Sequence, residues 1–158
     1  RYVAWATTDG GTDWKTWRVR EVATGRDLPE EIRRAKFTRV AWTPDASAFY
    51  YSSYPAREDG SGDDQRQVRV YRHRLGSPQA SDEPVYEVTD HPRRNPYAEL
   101  TADGRWLLLR LSDGYQANGW LLADLAAPRL AFRPLFDRWD GLYEWVGSVG
   151  DRLFFRTT

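Results

Sequence analysis

Residues 36–55 read KFTRVAWTPDASAFYYSSYP: an apolar run, a Thr43-Pro44-Asp45-Ala46-Ser47 turn, a second apolar run and a break at Tyr54-Pro55. Short runs of β-branched and aromatic residues bounded by turn chemistry predict two antiparallel strands joined as a hairpin. The unit returns at residues 97–111, YAELTADGRWLLLRL, with its turn at Thr101-Ala102-Asp103-Gly104. It returns again at residues 143–155, YEWVGSVGDRLFF, with its turn at Val149-Gly150-Asp151. Measured from Arg1, Ser47, Arg105 and Arg152, equivalent positions just past each turn, the intervals are 46, 58 and 47 residues. Four strands in roughly 40 to 50 residues is the period of a β-propeller blade. The fold class read from this pattern is all-β, a partial β-propeller of about three blades, each a four-stranded antiparallel sheet. Residues 1–158 then form one segment of a propeller domain. Residues 1–35 supply the last strands of one blade, 36–90 and 91–139 are full blades, and 140–158 are the first hairpin of the next.

The strands outside the hairpins fit that arithmetic. Residues 2–6, 14–22, 68–75, 84–88, 120–125 and 130–136 read as strands. The polar stretch 27–35, DLPEEIRRA, fits either a helical turn over 30–34 or an outer edge strand, and the edge strand is favoured because Pro29 and dense charge are tolerated there. A blade packs both faces against its neighbours, so its inner strands are apolar throughout. Trp106-Leu107-Leu108-Leu109 and Phe49-Tyr50-Tyr51 are such continuous runs. The 8 Trp, 9 Tyr, 9 Pro and 12 Gly favour a turn-rich β domain over a helical bundle. The chain opens on Arg1-Tyr2-Val3 without an initiator methionine and holds too few strands to close a ring. It is therefore expected to be a segment of a longer protein whose apolar blade faces, left uncovered, drive association when it is expressed alone.

Several classes of function are disfavoured by composition. Equal numbers of basic and acidic residues, 23 of each, leave no electrostatic footprint for nucleic acid. No apolar run is long enough for a bilayer, and without cysteine there is neither a disulfide framework nor a thiolate metal site. No G-x-S-x-G elbow is present, and the only histidines are His73 and His91, read as structural. Asp45, Asp103 and Asp151 recur in hairpin turns, where Asp bonds local backbone groups. The acidic stretch with Asp59, Asp63 and Asp64 lacks the spacing of a calcium loop, and Gly10-Gly11 and Gly60-Ser61-Gly62 open no helix that would cradle phosphate. Neither a metal nor a cofactor is called for. Residues 54–67, YPAREDGSGDDQRQ, are long for an unpatterned connection, and such loops are usually functional or mobile.

Three stretches resemble the prolyl oligopeptidase family of serine peptidases: TDW at 12–14, KFTRVAWTPD leading into FYYSSYP, and VYRHRLGSPQASDEPVYEVTDHPRRNPYAELTADGRWLLL at 70–109. The last combines an H-x-L-G turn, a Pro-Gln-x-x-Asp loop and the Asp-Gly-Arg hairpin in the family's order. The resemblance implies a seven-bladed propeller that caps an α/β-hydrolase domain of the same protein and admits only short proline-containing peptides. The Ser, Asp and His triad would lie in that other domain, so this chain carries no catalytic residue, and the enzyme would be cytoplasmic. Phe37 matches an aromatic that packs on the substrate residue upstream of the proline. Asn95, Ser112 and Tyr115 fall where the family places further cavity-lining residues, and residues 54–67 correspond to a loop near the domain interface that gates access. At Asn95, Ser112 and Tyr115 this sequence departs from the family's side chains, and only Tyr115 keeps substantial apolar surface. A non-catalytic propeller scaffold and the cap of an oligopeptidase B-like or dipeptidyl peptidase-like enzyme are the alternatives.

Overall fold

The computed structural model describes residues 1–8, 10–55, 68–91 and 93–157. Most of the 54–67 loop, with Asp59, Asp63, Asp64 and Gly60-Ser61-Gly62, lies outside the described residues. Thirteen strands and one short 3-10 helix, Gln79–Ser81, make up the described secondary structure. The first sheet holds β1 (Tyr2–Thr8), β2 (Trp14–Glu21) and β3 (Asp27–Lys36) in that order. The second holds β4 (Ala41–Trp42), β5 (Ala48–Ser53), β6 (Arg69–Arg74) and β7 (Glu83–Glu87), and the third β8 (Asn95–Leu100), β9 (Trp106–Ser112), β10 (Asn118–Asp124) and β11 (Arg133–Phe136). The last pairs β12 (Tyr143–Val149) with β13 (Arg152–Thr157). Every pairing is antiparallel and every strand pairs with its chain neighbour, the meander of propeller blades.

The core lies between sheets. β5 is buried along its whole length, pressed by β3 on one side and β8 on the other. One cluster joins Ala41, Tyr50 and Val70 of the second sheet to Ala98, Leu107 and Leu109 of the third. A second joins Val19 and Ile32 to Phe49 and Tyr51, and a third packs Leu108, Trp120 and Leu122 against Trp145 and Phe155. These are the two-faced apolar strands the sequence predicts. Polar groups tie the sheets as well. Ser53 Oγ and the Tyr54 amide both donate to the Arg34 carbonyl, at 2.9 and 3.1 Å, and Ser52 Oγ donates to the Pro96 carbonyl. Buried His73 is structural: its Nδ1 lies 2.8 Å from Asp82 Oδ1, and the Tyr51 hydroxyl donates to Asp82 Oδ2 at 2.7 Å.

Two details differ from the sequence reading. The first hairpin does not begin at residue 36: Lys36 closes β3, and β4 is only Ala41–Trp42. The cause is local, because Phe37 adopts φ of +48°, a left-handed conformation that stops the strand. β3 is an edge strand as expected, yet it is not uniformly polar-faced. Glu30, Ile32 and Ala35 are buried, Ile32 against Phe49 and Tyr51 of the second sheet, and Glu30 Oε1 accepts the Gly76 amide at 2.6 Å.

The repeated turn has a common chemistry. Thr43 Oγ1 donates to Asp45 Oδ1 at 2.6 Å, the Ser47 amide donates to the same oxygen at 3.1 Å, and the Ala48 amide donates to Thr43 Oγ1 at 3.1 Å. Thr101, Asp103, Arg105 and Trp106 reproduce these contacts at 2.6, 3.1 and 3.0 Å. Asp151, which follows its glycine instead of preceding it, joins no such network among the described residues. The Thr43 hydroxyl and the Ser47 donors hold the Asp45 carboxyl down from 3.8 to about 2. A depressed carboxyl stabilises the fold above its unfolded pKa of about 4 and loses that contribution as pH falls through the folded value. Asp45→Asn is accordingly expected to cost stability at pH 7, and its thermal midpoint should converge on the parent's between pH 4 and pH 2. A gap that stays constant through that window would remove Asp45 from the acid response.

Candidate functional site

In these meanders the end of β3, the start of β8, the end of β9 and the start of β10 come to one end of the sheets. Phe37 lies there, just past β3, with 44% of its surface exposed. The Lys36 ammonium sits 5.0 Å from the centre of the Phe37 ring and 5.4 Å from that of Trp14, with Asp13 Oδ2 3.6 Å away. Trp14 meets Tyr54 edge-on, ring centres 5.6 Å apart, and the Tyr54 hydroxyl donates to Asn95 Oδ1 at 2.9 Å. A continuous line of contacts thus runs from Phe37 across two sheets to Asn95 on the third.

Asn95 opens β8 directly opposite Ser112 at the end of β9, and Ser112 in turn faces Asn118. Ser112 Oγ donates to the Gly114 carbonyl at 3.2 Å, which bends the chain into the loop bearing Tyr115, 95% exposed. All four residues singled out in the sequence therefore lie at the same end. Asn95 and Ser112 are cross-strand neighbours, Phe37 reaches them through Lys36, Trp14 and Tyr54, and Tyr115 projects from the adjoining loop.

Backbone strain gathers here too. Arg34, Phe37 and Trp139, three of the four described non-glycine residues with positive φ, belong to this end. Trp139 lies so close to β10 that a Cβ on Gly119 would stand 2.9 Å from its ring, and the Arg94 guanidinium covers it at 4.2 Å. Among the described residues at this end, no nucleophile is paired with a base. His91 Nδ1 is 3.3 Å from Asp113 Oδ2, but the neighbouring Ser112 hydroxyl is committed to Gly114, so no nucleophile and base are joined. Among the described residues no cluster of three His, Cys, Asp or Glu could hold a metal, and no helix is long and apolar enough to cross a membrane.

Sequence reasoning missed a second group, which runs along β8 away from Asn95. Tyr97 and Glu99 share one face of β8, and Arg110 stands opposite Tyr97 with its guanidinium 4.3 Å from the ring centre. Arg39, from the segment between Phe37 and β4, reaches Glu99 with Nη1 at 4.0 Å. Burial pushes the Glu99 carboxyl up, against the opposing pull of Arg39 and Arg110. Burial likewise raises the Tyr97 phenol, and Arg110 and Arg39 again oppose it. The alternation Tyr97-x-Glu99 is visible in the sequence, but the approach of Arg39 from the segment before β4 is not.

Comparison with known proteins gives a consistent result. The chain is 31% identical over 99% of its length to prolyl oligopeptidase ophP of Omphalotus olearius, of which it covers 23%. It is 30% identical over 98% of its length to the prolyl endopeptidase of Elizabethkingia miricola, of which it covers 22%. A solved structure from a structural and mechanistic analysis of two prolyl endopeptidases superposes with a TM-score of 0.87 at 30% identity, over 99% of this chain and 22% of that one. The chain thus spans under a quarter of the length of the relatives it matches. The family model described as the prolyl oligopeptidase N-terminal β-propeller domain matches residues 1–158, and with sheets of the matching fold the chain belongs to that family.

Proposed function

We propose that this chain is the substrate-filtering propeller segment of a cytoplasmic prolyl oligopeptidase-like serine endopeptidase that cleaves short peptides after proline. Acyl transfer would be carried by an α/β-hydrolase domain of the same protein, and the propeller would decide what reaches it. The observation that carries the reading is the line Phe37, Lys36, Trp14, Tyr54, Asn95 along a single end of the sheets. A half-exposed ring at a strained, strand-ending position is a poor core residue and a good platform for an apolar substrate side chain. Asn95, Ser112 and Tyr115 extend the same surface as polar and aromatic contacts. Relatives named as prolyl oligopeptidases and endopeptidases argue against a scaffold without enzymatic activity.

The test uses the full-length protein and peptides containing one proline. Cleavage on the carboxyl side of proline is expected, and Phe37→Ala should lower kcat/KM about tenfold, the loss of most of a buried aromatic contact. The melting temperature should hardly move, because the ring is not part of the core. An unchanged kcat/KM would remove Phe37 from the site.

A further inference from the structure

Among the described residues, the wall beside the Phe37 to Asn95 line carries an unbalanced charge. Arg39 and Arg110 both act on Glu99, and among the described residues neither has another carboxylate within ion-pair distance. Glu99 is a weak counterion for two guanidiniums: its side chain is 30% exposed, and Arg39 meets it only at 4.0 Å while remaining 72% exposed. Arg110 is not hydrogen-bonded to any described carboxylate and stands over the Tyr97 ring, its Cζ 4.3 Å from the ring centre. Three other described carboxylates near this end are engaged elsewhere. Asp113 faces His91 and Arg93, Asp90 holds Arg94, and Asp13 holds Lys36. β8 is the first strand of its sheet, the position nearest the hub of a propeller, and it touches β4, the first strand of the preceding sheet. The surplus positive charge therefore belongs to the inner wall, next to the end where substrate is placed above.

We propose that Arg39 and Arg110 form an anion-accepting station that selects peptide substrates bearing a carboxylate. This rests on the peptidase reading. A planar guanidinium binds a carboxylate through paired N–H donors, and a second, exposed guanidinium steers it there. The carboxylate has two possible sources on a peptide, an acidic side chain or the free C-terminus.

The experiment is a peptide series with a single proline in which Glu replaces Gln at each position in turn, every member made as free acid and as C-terminal amide. At low salt the full-length protein is expected to prefer some carboxylate-bearing peptides over their neutral counterparts by about tenfold in kcat/KM, an advantage that shrinks as salt screens it. An advantage that follows the Glu position identifies a side chain; one lost on amidation identifies the terminus. Arg39→Gln should reduce the acid-to-neutral ratio severalfold, Arg110→Gln should do the same, and Arg110→Lys should restore part of it. Arg39 is largely exposed, so its variant separates charge from folding. Cleavage after proline with a ratio near one at every position would overturn the station and leave the peptidase reading standing. Absence of cleavage after proline would overturn that reading, and calorimetric binding of the same acid and amide peptides would then decide the station, equal affinities overturning it.

Discussion

Gly104→Ala in the full-length protein is expected to destabilise the propeller by about 3 kcal/mol, through two costs that act at one atom. Gly104 has φ of +71°, where any Cβ is strained by about 1 kcal/mol. The larger cost is contact: a Cβ there would stand 2.5 Å from Pro44 Cγ and 2.6 Å from Pro44 Cδ. The two hairpin turns therefore touch, proline of one against glycine of the next. Neither can yield freely, because Pro44 is held between Thr43, whose amide donates to the Ala48 carbonyl at 2.9 Å, and the Asp45 network. The equivalent position in the first turn is Ala46, with φ of +55°. Ala46→Gly relieves the same backbone strain, and after the extra entropy of an unfolded glycine it should stabilise by roughly 0.5 kcal/mol. Pro44→Ala removes the ring atoms, so it should recover much of the Gly104→Ala loss. Urea and thermal unfolding of the double-mutant cycle measure that coupling. Strict additivity would mean that the ring is not the obstacle.

What the sequence discloses here is whatever depends on neighbours along the chain. The Thr-x-Asp turns, the continuous apolar runs of β5 and β9, and the four-strand period are local patterns, and the sheets follow them. The end of β3 was misplaced because nothing in Lys36-Phe37 announces a left-handed backbone; a phenylalanine at φ of +48° is held there by its surroundings. Glu30 was assigned to a solvated edge because a charge beside Pro29 reads as exposed. Its burial depends on the Gly76 amide, which arrives from a different sheet. The same reason hides Arg39 beside Glu99 and Tyr54 beside Asn95, pairs separated by tens of residues. Family resemblance named Phe37, Asn95, Ser112 and Tyr115. The contacts that bring Phe37 into line with Asn95, and the charged wall beside them, come only from the packing of one blade on the next.

Asn118→Ala should be nearly as damaging as Gly104→Ala, for a reason of hydrogen bonding. Asn118 opens β10 and is only 2% exposed. Its Nδ2 donates to the Tyr143 carbonyl at 3.0 Å, and its Oδ1 accepts the Tyr143 amide at 2.9 Å. One side chain thus supplies both bonds that a neighbouring strand would otherwise give to the first residue of β12. Trp120 Nε1 also donates to the Tyr143 carbonyl, at 2.8 Å, so truncating Asn118 leaves that carbonyl partnered. The Tyr143 amide, by contrast, loses its described acceptor, and an unpaired, partly buried donor together with two lost bonds costs about 2 to 3 kcal/mol. Asn118→Asp separates the two halves of the pair. A carboxylate still accepts from the amide, but its second oxygen then faces the Tyr143 carbonyl, so at neutral pH the loss should at least equal that of alanine. Tyr115→Ala, three residues earlier on the exposed loop, is the control and should stay within about 0.5 kcal/mol of the parent. Because β12 is docked on the third sheet through this amide, hydrogen exchange of residues 143–149 should accelerate in Asn118→Ala more than that of β5. Equal acceleration everywhere would mean that Asn118 acts on global stability and does not specifically fasten one blade to the next.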